Sequence, residues 1–172
     1  MAIFVITGDP GIGKTTVVMR VAETLKQRGL MIGGIVSREI RNSNNVRIGF
    51  EFVDLTTNER ATLSSTTGSG PRMGKYFVDL DGCRFAVKSL IKAIKNSDVI
   101  ICDELGPMEF KSKEFIDCAM DMLEIDKPII VVVHKRLQHP VIDQFRKKAN
   151  FLINVDLQNR NKAPDLLLDR LG

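Results

Sequence analysis

The sequence predicts an α/β domain: a mostly parallel sheet with helices on both faces and a β-hairpin insertion around residues 46–79. Three observations predict it. Short apolar, β-branched runs alternate with segments of helical periodicity from the first residue onward. A glycine-rich turn with phosphate-binding spacing joins the first run to the first helix. A later apolar run ends in two adjacent carboxylates, Asp103 and Glu104.

Residues 1–7 form an apolar run long enough for a buried strand. Gly8-Asp9-Pro10-Gly11-Ile12-Gly13-Lys14-Thr15-Thr16 follows and fits G-x-x-x-x-G-K-[ST]. From Thr15 the pattern is helical, with Val17, Val18, Val21, Ala22 and Leu25 on one face, and Gly29 caps the end near Arg28. Residues 31–37 read as the next strand, with Gly33 and Gly34 permitting close approach. Residues 38–45 are polar and end in the turn signature Asn42-Ser43-Asn44-Asn45. Residues 46–55 alternate, as a half-exposed hairpin strand does. A second turn, a short strand near 61–64, a flexible Ser/Thr/Gly segment, a loop at 71–75 and a short strand at 76–78 complete the insertion.

Residues 83–95 are helical, with Phe85, Val87, Leu90, Ile91 and Ile94 as the apolar face. Residues 98–103 form a buried strand, 112–124 a helix capped by Ser112, and 128–134 a further buried strand. Residues 138–148 form a helix with Pro140 in its first turn, 151–155 a last strand and 163–171 a last helix. No repeat, linker or low-complexity tail divides the chain, so residues 1–172 read as a single domain.

The composition suits this. Of 172 residues, 44% are hydrophobic and 27% charged, ordinary for a soluble globular domain, and the absence of Trp leaves an aliphatic core. A net charge of +4 suits a polyanionic ligand without demanding nucleic acid. Cys83, Cys102 and Cys118 show no C-x-x-C spacing, which argues against a zinc site or a disulfide framework and for a reducing compartment. No apolar stretch nears the roughly 18 residues that span a bilayer, and the N-terminus lacks a basic leader and a cleavage pattern. A cytoplasmic protein with no membrane partner is expected.

The phosphate loop carries a definite chemistry. A triphosphate must lie against bare backbone for several N–H groups to reach its oxygens, and side chains at Gly8, Gly11 or Gly13 would obstruct it. The following helix adds the positive end of its dipole. Lys14 reaches the β- and γ-phosphates, and the Thr15 hydroxyl can ligate Mg²⁺. Val99-Ile100-Ile101-Cys102-Asp103-Glu104 supplies the other half, carboxylates at the C-terminal tip of a buried strand, where open α/β sheets bind ligands. Asp103 can hold the Mg²⁺, directly or through water, and Glu104 can polarise the attacking water. Leu105-Gly106-Pro107 then forms a sharp turn, with Glu109 beyond it.

These segments resemble the small P-loop nucleoside-triphosphatases of thermophiles, the family that includes the cancer-related nucleoside triphosphatase. The resemblance rests on residues 8–16, on 34–50 ending Val46-Arg47-Ile48-Gly49-Phe50, on Met73-Gly74-Lys75-Tyr76-Phe77-Val78, on Asp103-Glu104-Leu105-Gly106-Pro107-Met108-Glu109 and on Asn159-Arg160-Asn161. It spans nearly the whole chain. It implies Mg²⁺-dependent hydrolysis of ATP, GTP and other nucleoside triphosphates with little base selectivity. It also implies a RecA-like sheet, in which another strand separates the phosphate-loop strand from the Asp-Glu strand. Leu105 stands where the family often has Ile, and Pro107 where it often has Lys.

Phosphoryl transfer usually recruits a cation to the transition state. Arg38, Arg41, Arg72, Lys75, Arg136 and Arg160 are the candidates, and Arg38 and Arg136 each follow a predicted strand end. For each one taken singly, a solvated surface cation is the default reading. His134 ends a strand at the ligand-binding edge, where a structural role competes with sensing the γ-phosphate. Asn161-Lys162-Ala163-Pro164 departs from the guanine-reading N-K-x-D at Pro164, and Arg160 could pack against a base. Lys135, Arg136, Arg146, Lys147 and Lys148 read as a solvated basic face, since no aromatic platform accompanies them. The expected substrate is a nucleoside triphosphate and the expected state a monomer. The alternatives are a nucleotide or nucleoside kinase, with the insertion shaping an acceptor pocket, and a non-enzymatic nucleotide switch or an ATPase module serving RNA.

Overall fold

The computed structural model describes residues 2–172; Met1, the first residue of the predicted opening strand, lies outside the described residues. The strands are β1 (Ala2–Gly8), β2 (Ile32–Arg41), β3 (Arg47–Asp54), β4 (Arg60–Ser65), β5 (Arg72–Met73), β6 (Tyr76–Val78), β7 (Val99–Leu105), β8 (Pro128–Val133) and β9 (Phe151–Val155). The helices are α1 (Lys14–Gln27), α2 (Leu80–Asn96), α3 (Lys113–Met122), α4 (Pro140–Lys148) and α5 (Ala163–Leu171). The strands form one nine-stranded sheet in the order β5-β6-β4-β3-β2-β7-β8-β1-β9.

That sheet is parallel only in part, which corrects the expectation of a mostly parallel one. The strands joined through helices, β2, β7, β8, β1 and β9, pair in parallel. The insertion adds β3, β4, β6 and β5 as an antiparallel extension of the same sheet. The reason is connection length. Short turns join antiparallel neighbours only, whereas a parallel crossover needs a helix-length connection.

Side-chain alternation sorts the core. On β1, Ile3 and Val5 pack with Ile100, Cys102 and residues of α2, α3 and α4, while Phe4 and Ile6 pack with Val99, Ile101, α1 and α5. Each large aliphatic or aromatic side chain buried here contributes about 1.5–3 kcal/mol. Phe52 stacks on Phe115 with ring centroids 6.2 Å apart, which ties the insertion to α3. The three cysteines are buried free thiols.

Local chemistry sets the element ends. The Asp79 carboxylate accepts from the Gly82 N–H at 3.0 Å, so α2 starts at Leu80, earlier than its apolar periodicity predicts. Ser112 caps α3 as predicted, accepting from the Phe115 N–H at 3.2 Å. The segment 71–75, expected as a loop, contains the short strand β5, because Arg72 and Met73 find partners in Phe77 and Tyr76.

β2 shows the largest departure. It pairs with β7 only over Ile32–Ile35 and then runs on beside β3 as far as Arg41. Arg38 therefore lies within a strand, not after one. At the divide, a Cβ on Gly34 would collide with the Ile101 carbonyl, and its φ is +117°. Where β2 leaves β7, a cleft opens above the strand tips.

Candidate functional site

The loop between β1 and α1 folds as its spacing demands. A Cβ on Gly8 would come within 2.7 Å of the Val155 carbonyl oxygen, so the loop lies tight against β9. Gly13, just before α1, has φ +110°, which admits no ordinary side chain without strain. The Lys14 ammonium folds back over the loop and donates to the Gly8 and Asp9 carbonyls at 2.8 and 3.0 Å.

Thr15 connects this loop to the other half of the site. Its hydroxyl donates to Asp103 Oδ2 at 2.6 Å. Asp103 continues the face of Ile101, which packs towards α1, and is 2% exposed. Burial pushes its carboxyl up to about 7; the Thr15 hydroxyl opposes this, and the Glu104 charge adds to it.

Glu104 sits at an irregularity. The register with β8 shifts between Asp103 and Leu105, so Glu104 has no cross-strand partner and its side chain enters the cleft. Its pKa is raised by burial, against the pull of Lys14. A short 3₁₀ turn, Glu109–Lys111, brings Glu109 beside it. A Cβ on Gly106 would lie 2.6 Å from Glu104 Oε1 and 2.9 Å from Glu109 Oε2, so both carboxyls rest against that glycine. Glu109 is buried, and burial followed by the Glu104 charge raises its pKa, although the Glu109 and Gly106 N–H groups donate to it.

A cleft of about 830 Å³ contains Gly8, Asp9, Pro10, Gly11, Gly13, Lys14, Thr15, Asp103 and Glu104 in its lining. Arg38 and Arg136, the two favoured cations, also line it, together with Lys135 and His134. Lys135 is ion-paired to Asp9 at 3.1 Å, so it belongs to the cleft and not to the solvated basic face. His134 Nδ1 accepts from the Arg136 and Leu137 N–H groups at 3.2 and 3.0 Å, which meets the structural expectation while its ring still lines the cleft. Arg41, Arg72 and Lys75 are not lining residues: Arg41 pairs with Glu39, Arg72 donates to the Gly74 carbonyl, and Lys75 donates to that of Arg47.

Arg160 is placed elsewhere. Asp156 and Asn159 build a tight turn after β9, and Asn159 also donates to the Asn154 carbonyl at 2.8 Å. That turn brings Arg160 and Asn161 to a separate pocket of about 180 Å³ beside Ile12, Gly13, Thr16 and Arg20. The predicted loop residues Ile12 and Thr16 thus face this second pocket. Val99, Ile100, Ile101, Cys102, Leu105 and Gly106, expected beside the nucleotide, are instead buried, and none of them lines the cleft.

Residue reasoning missed Arg47, Phe50, Met73 and Met108 as cleft-lining residues. A signal was present, since each lies in a segment that carries the family resemblance, and those segments converge only once the sheet is assembled. Among the described residues no helix is long and apolar enough to cross a membrane.

Strand order and site together define the class. β8 separates β1 from β7, so this is a P-loop NTPase fold with the RecA-like arrangement that the resemblance implied. Within that class the chain belongs to the NTPase family, whose sequence profile matches residues 3–168. It is 43% identical over 169 residues to the nucleoside-triphosphatase THEP1 of Methanopyrus kandleri, across 97% of this chain and 93% of that one. It is 40% identical over 171 residues to the nucleoside-triphosphatase THEP1 of Thermococcus kodakarensis, across 96% and 92% of the two chains. The crystal structure of THEP1 from Aquifex aeolicus superposes with a TM-score of 0.85 at 27% identity, covering 100% of this chain and 99% of that one. The solution structure of a human cancer-related nucleoside triphosphatase gives 0.81 at 28% identity, covering 99% and 97%.

Proposed function

We infer that the chain is a Mg²⁺-dependent nucleoside-triphosphatase, hydrolysing ATP, GTP and other nucleoside 5′-triphosphates to the diphosphate and phosphate. The observation that carries this reading is the Thr15–Asp103 hydrogen bond at 2.6 Å, which sets a hydroxyl and a buried carboxylate side by side at the end of the phosphate loop. The relatives, themselves nucleoside-triphosphatases by name, support the same reading.

Thr15 and Asp103 fit a Mg²⁺ site. Both offer hard oxygens, and Mg²⁺ commonly takes one or two protein oxygens and completes its shell with phosphates and water. Bound there, it would neutralise charge on the β- and γ-phosphate oxygens. The loop N–H groups and Lys14 hold the same phosphates. Glu104 accepts a proton from water as the water oxygen bonds to the γ-phosphorus and the bond to the β–γ bridging oxygen breaks. Arg38, Lys135 and Arg136 put positive charge around the developing phosphate.

The base is assigned to the pocket at Arg160. Thr16 and Gly13 line both the loop and that pocket, so a nucleoside follows the α-phosphate directly into it. Pro164 stands where a guanine-reading aspartate would be, which suits broad base specificity. A phosphate-release screen across nucleoside triphosphates, with and without Mg²⁺, tests the reading. Release from several triphosphates, abolished by chelation, is expected; metal-independent release would overturn it.

A further inference from the structure

We propose that the outer half of the main cleft is a second ligand site, which takes a ring-bearing phosphate monoester of the size of a nucleoside monophosphate beside the γ-phosphate. The proposal rests on the triphosphatase reading above, because it needs the triphosphate to occupy the loop half. In that reading Gly8–Thr15 would hold the phosphates, and the nucleoside would leave past Thr16 into the separate pocket at Arg160. The remainder of the 830 Å³ cleft, between β2, β3, β4 and the turn after β7, is left without an occupant.

That remainder is built for one. Phe50, Leu63, Met73 and Met108 give it an apolar floor and wall. Arg47 stands at its edge and is held from several sides. Its Nη1 donates to Glu39 Oε1 at 3.0 Å, its Nε donates to the Tyr76 hydroxyl at 2.9 Å, and its guanidinium lies 5.2 Å from the Phe50 ring centroid. A planar guanidinium fixed in this way loses little freedom on binding an oxyanion. Phe50 is itself braced edge-on by Tyr76 at 5.5 Å.

Cations gather on the β2–β3 wall, whereas the carboxyls of Glu104 and Glu109 lie on the β7 side, where burial raises their pKa values. Glu39 is the one carboxylate on the β2–β3 wall among the lining residues, and its oxygens are already taken by Arg41 and Arg47. Arg38 and Arg47 both line the wall. An apolar surface for a ring, with guanidiniums at its margin, matches an aromatic base carrying a phosphate. Such a ligand covers the face of the γ-phosphate from which water would approach.

The test titrates AMP and GMP calorimetrically into protein saturated with Mg²⁺ and the β,γ-imido analogue of ATP. Saturable binding of one monophosphate per chain is expected, weakened about tenfold or more by Arg47→Gln through loss of a charge-assisted contact. Phe50→Leu should weaken it through the ring contact, and melting curves for both variants establish that they fold. With hydrolysable ATP, release of phosphate should fall as the same site fills. Label passing from the γ-position to the added monophosphate would also support the site: the monophosphate oxygen bonds to the γ-phosphorus as the bond to the bridging oxygen breaks. Absence of monophosphate binding to analogue-loaded protein, or binding indifferent to Arg47→Gln and Phe50→Leu, would overturn the proposal and leave the triphosphatase reading standing. Failure to bind the analogue at all would strike that reading instead.

Discussion

The Thr15 hydroxyl donates to Asp103 Oδ2 at 2.6 Å, joining residues 88 positions apart in the chain. The contact holds a buried carboxylate at the end of the loop, at a cost to the fold, because burial pushes that carboxyl up to about 7, and on the proposed reading this carboxylate is a metal ligand. Asp103→Asn should therefore lower hydrolysis by about a hundredfold or more, while the melting temperature at neutral pH holds or rises. Phosphate release and thermal denaturation on the same preparation check both halves.

Glu104→Gln should separate binding from chemistry. The side chain enters the cleft but makes no bond to the phosphate loop, so affinity for a triphosphate should persist while turnover drops by about a hundredfold or more. Undiminished turnover would remove Glu104 from the role of base.

Lys14→Ala acts on the other term. Its ammonium now bonds two loop carbonyls and would exchange them for phosphate oxygens. Losing a charge-assisted contact of about 1.5–3 kcal/mol should weaken triphosphate affinity roughly tenfold to a hundredfold, measurable by equilibrium binding.

Gly106→Ala tests the carboxylate pair without replacing either member. The added methyl would press on Glu104 Oε1 and Glu109 Oε2 at 2.6 and 2.9 Å, and both must move. Hydrolysis should fall with triphosphate affinity retained; wild-type turnover would show that the position of Glu104 tolerates displacement.

His134 gives a pH signature. Burial, then Lys14, Arg136 and Arg146, hold its pKa below the ordinary value of 6.5. Between the two values the unfolded chain binds more protons than the folded one, so stability rises with pH there. The contribution is complete above about 6.5 and is lost as pH falls through the lower folded value. NMR titration should give a depressed midpoint, and His134→Gln should flatten the stability profile over that window.

The sequence alone determined the alternation of strands and helices, the phosphate loop and the Asp103-Glu104 strand tip, because each depends on neighbours within a few residues. Periodicity, glycine spacing and capping are local, and the elements fall close to where those signals put them. Tertiary structure decided what depends on pairing partners. The insertion became part of the sheet, and β2 ran on through Arg38, because β3 offered hydrogen bonds beyond the end of β7. Sorting the cations was equally non-local. Arg38 and Arg136 line the main cleft and Arg160 a separate pocket, while Lys135 leaves the basic face for Asp9. Arg47 and Phe50 lie on a hairpin strand far from the phosphate loop in sequence, and only assembly of the sheet brings them to the cleft that the loop opens.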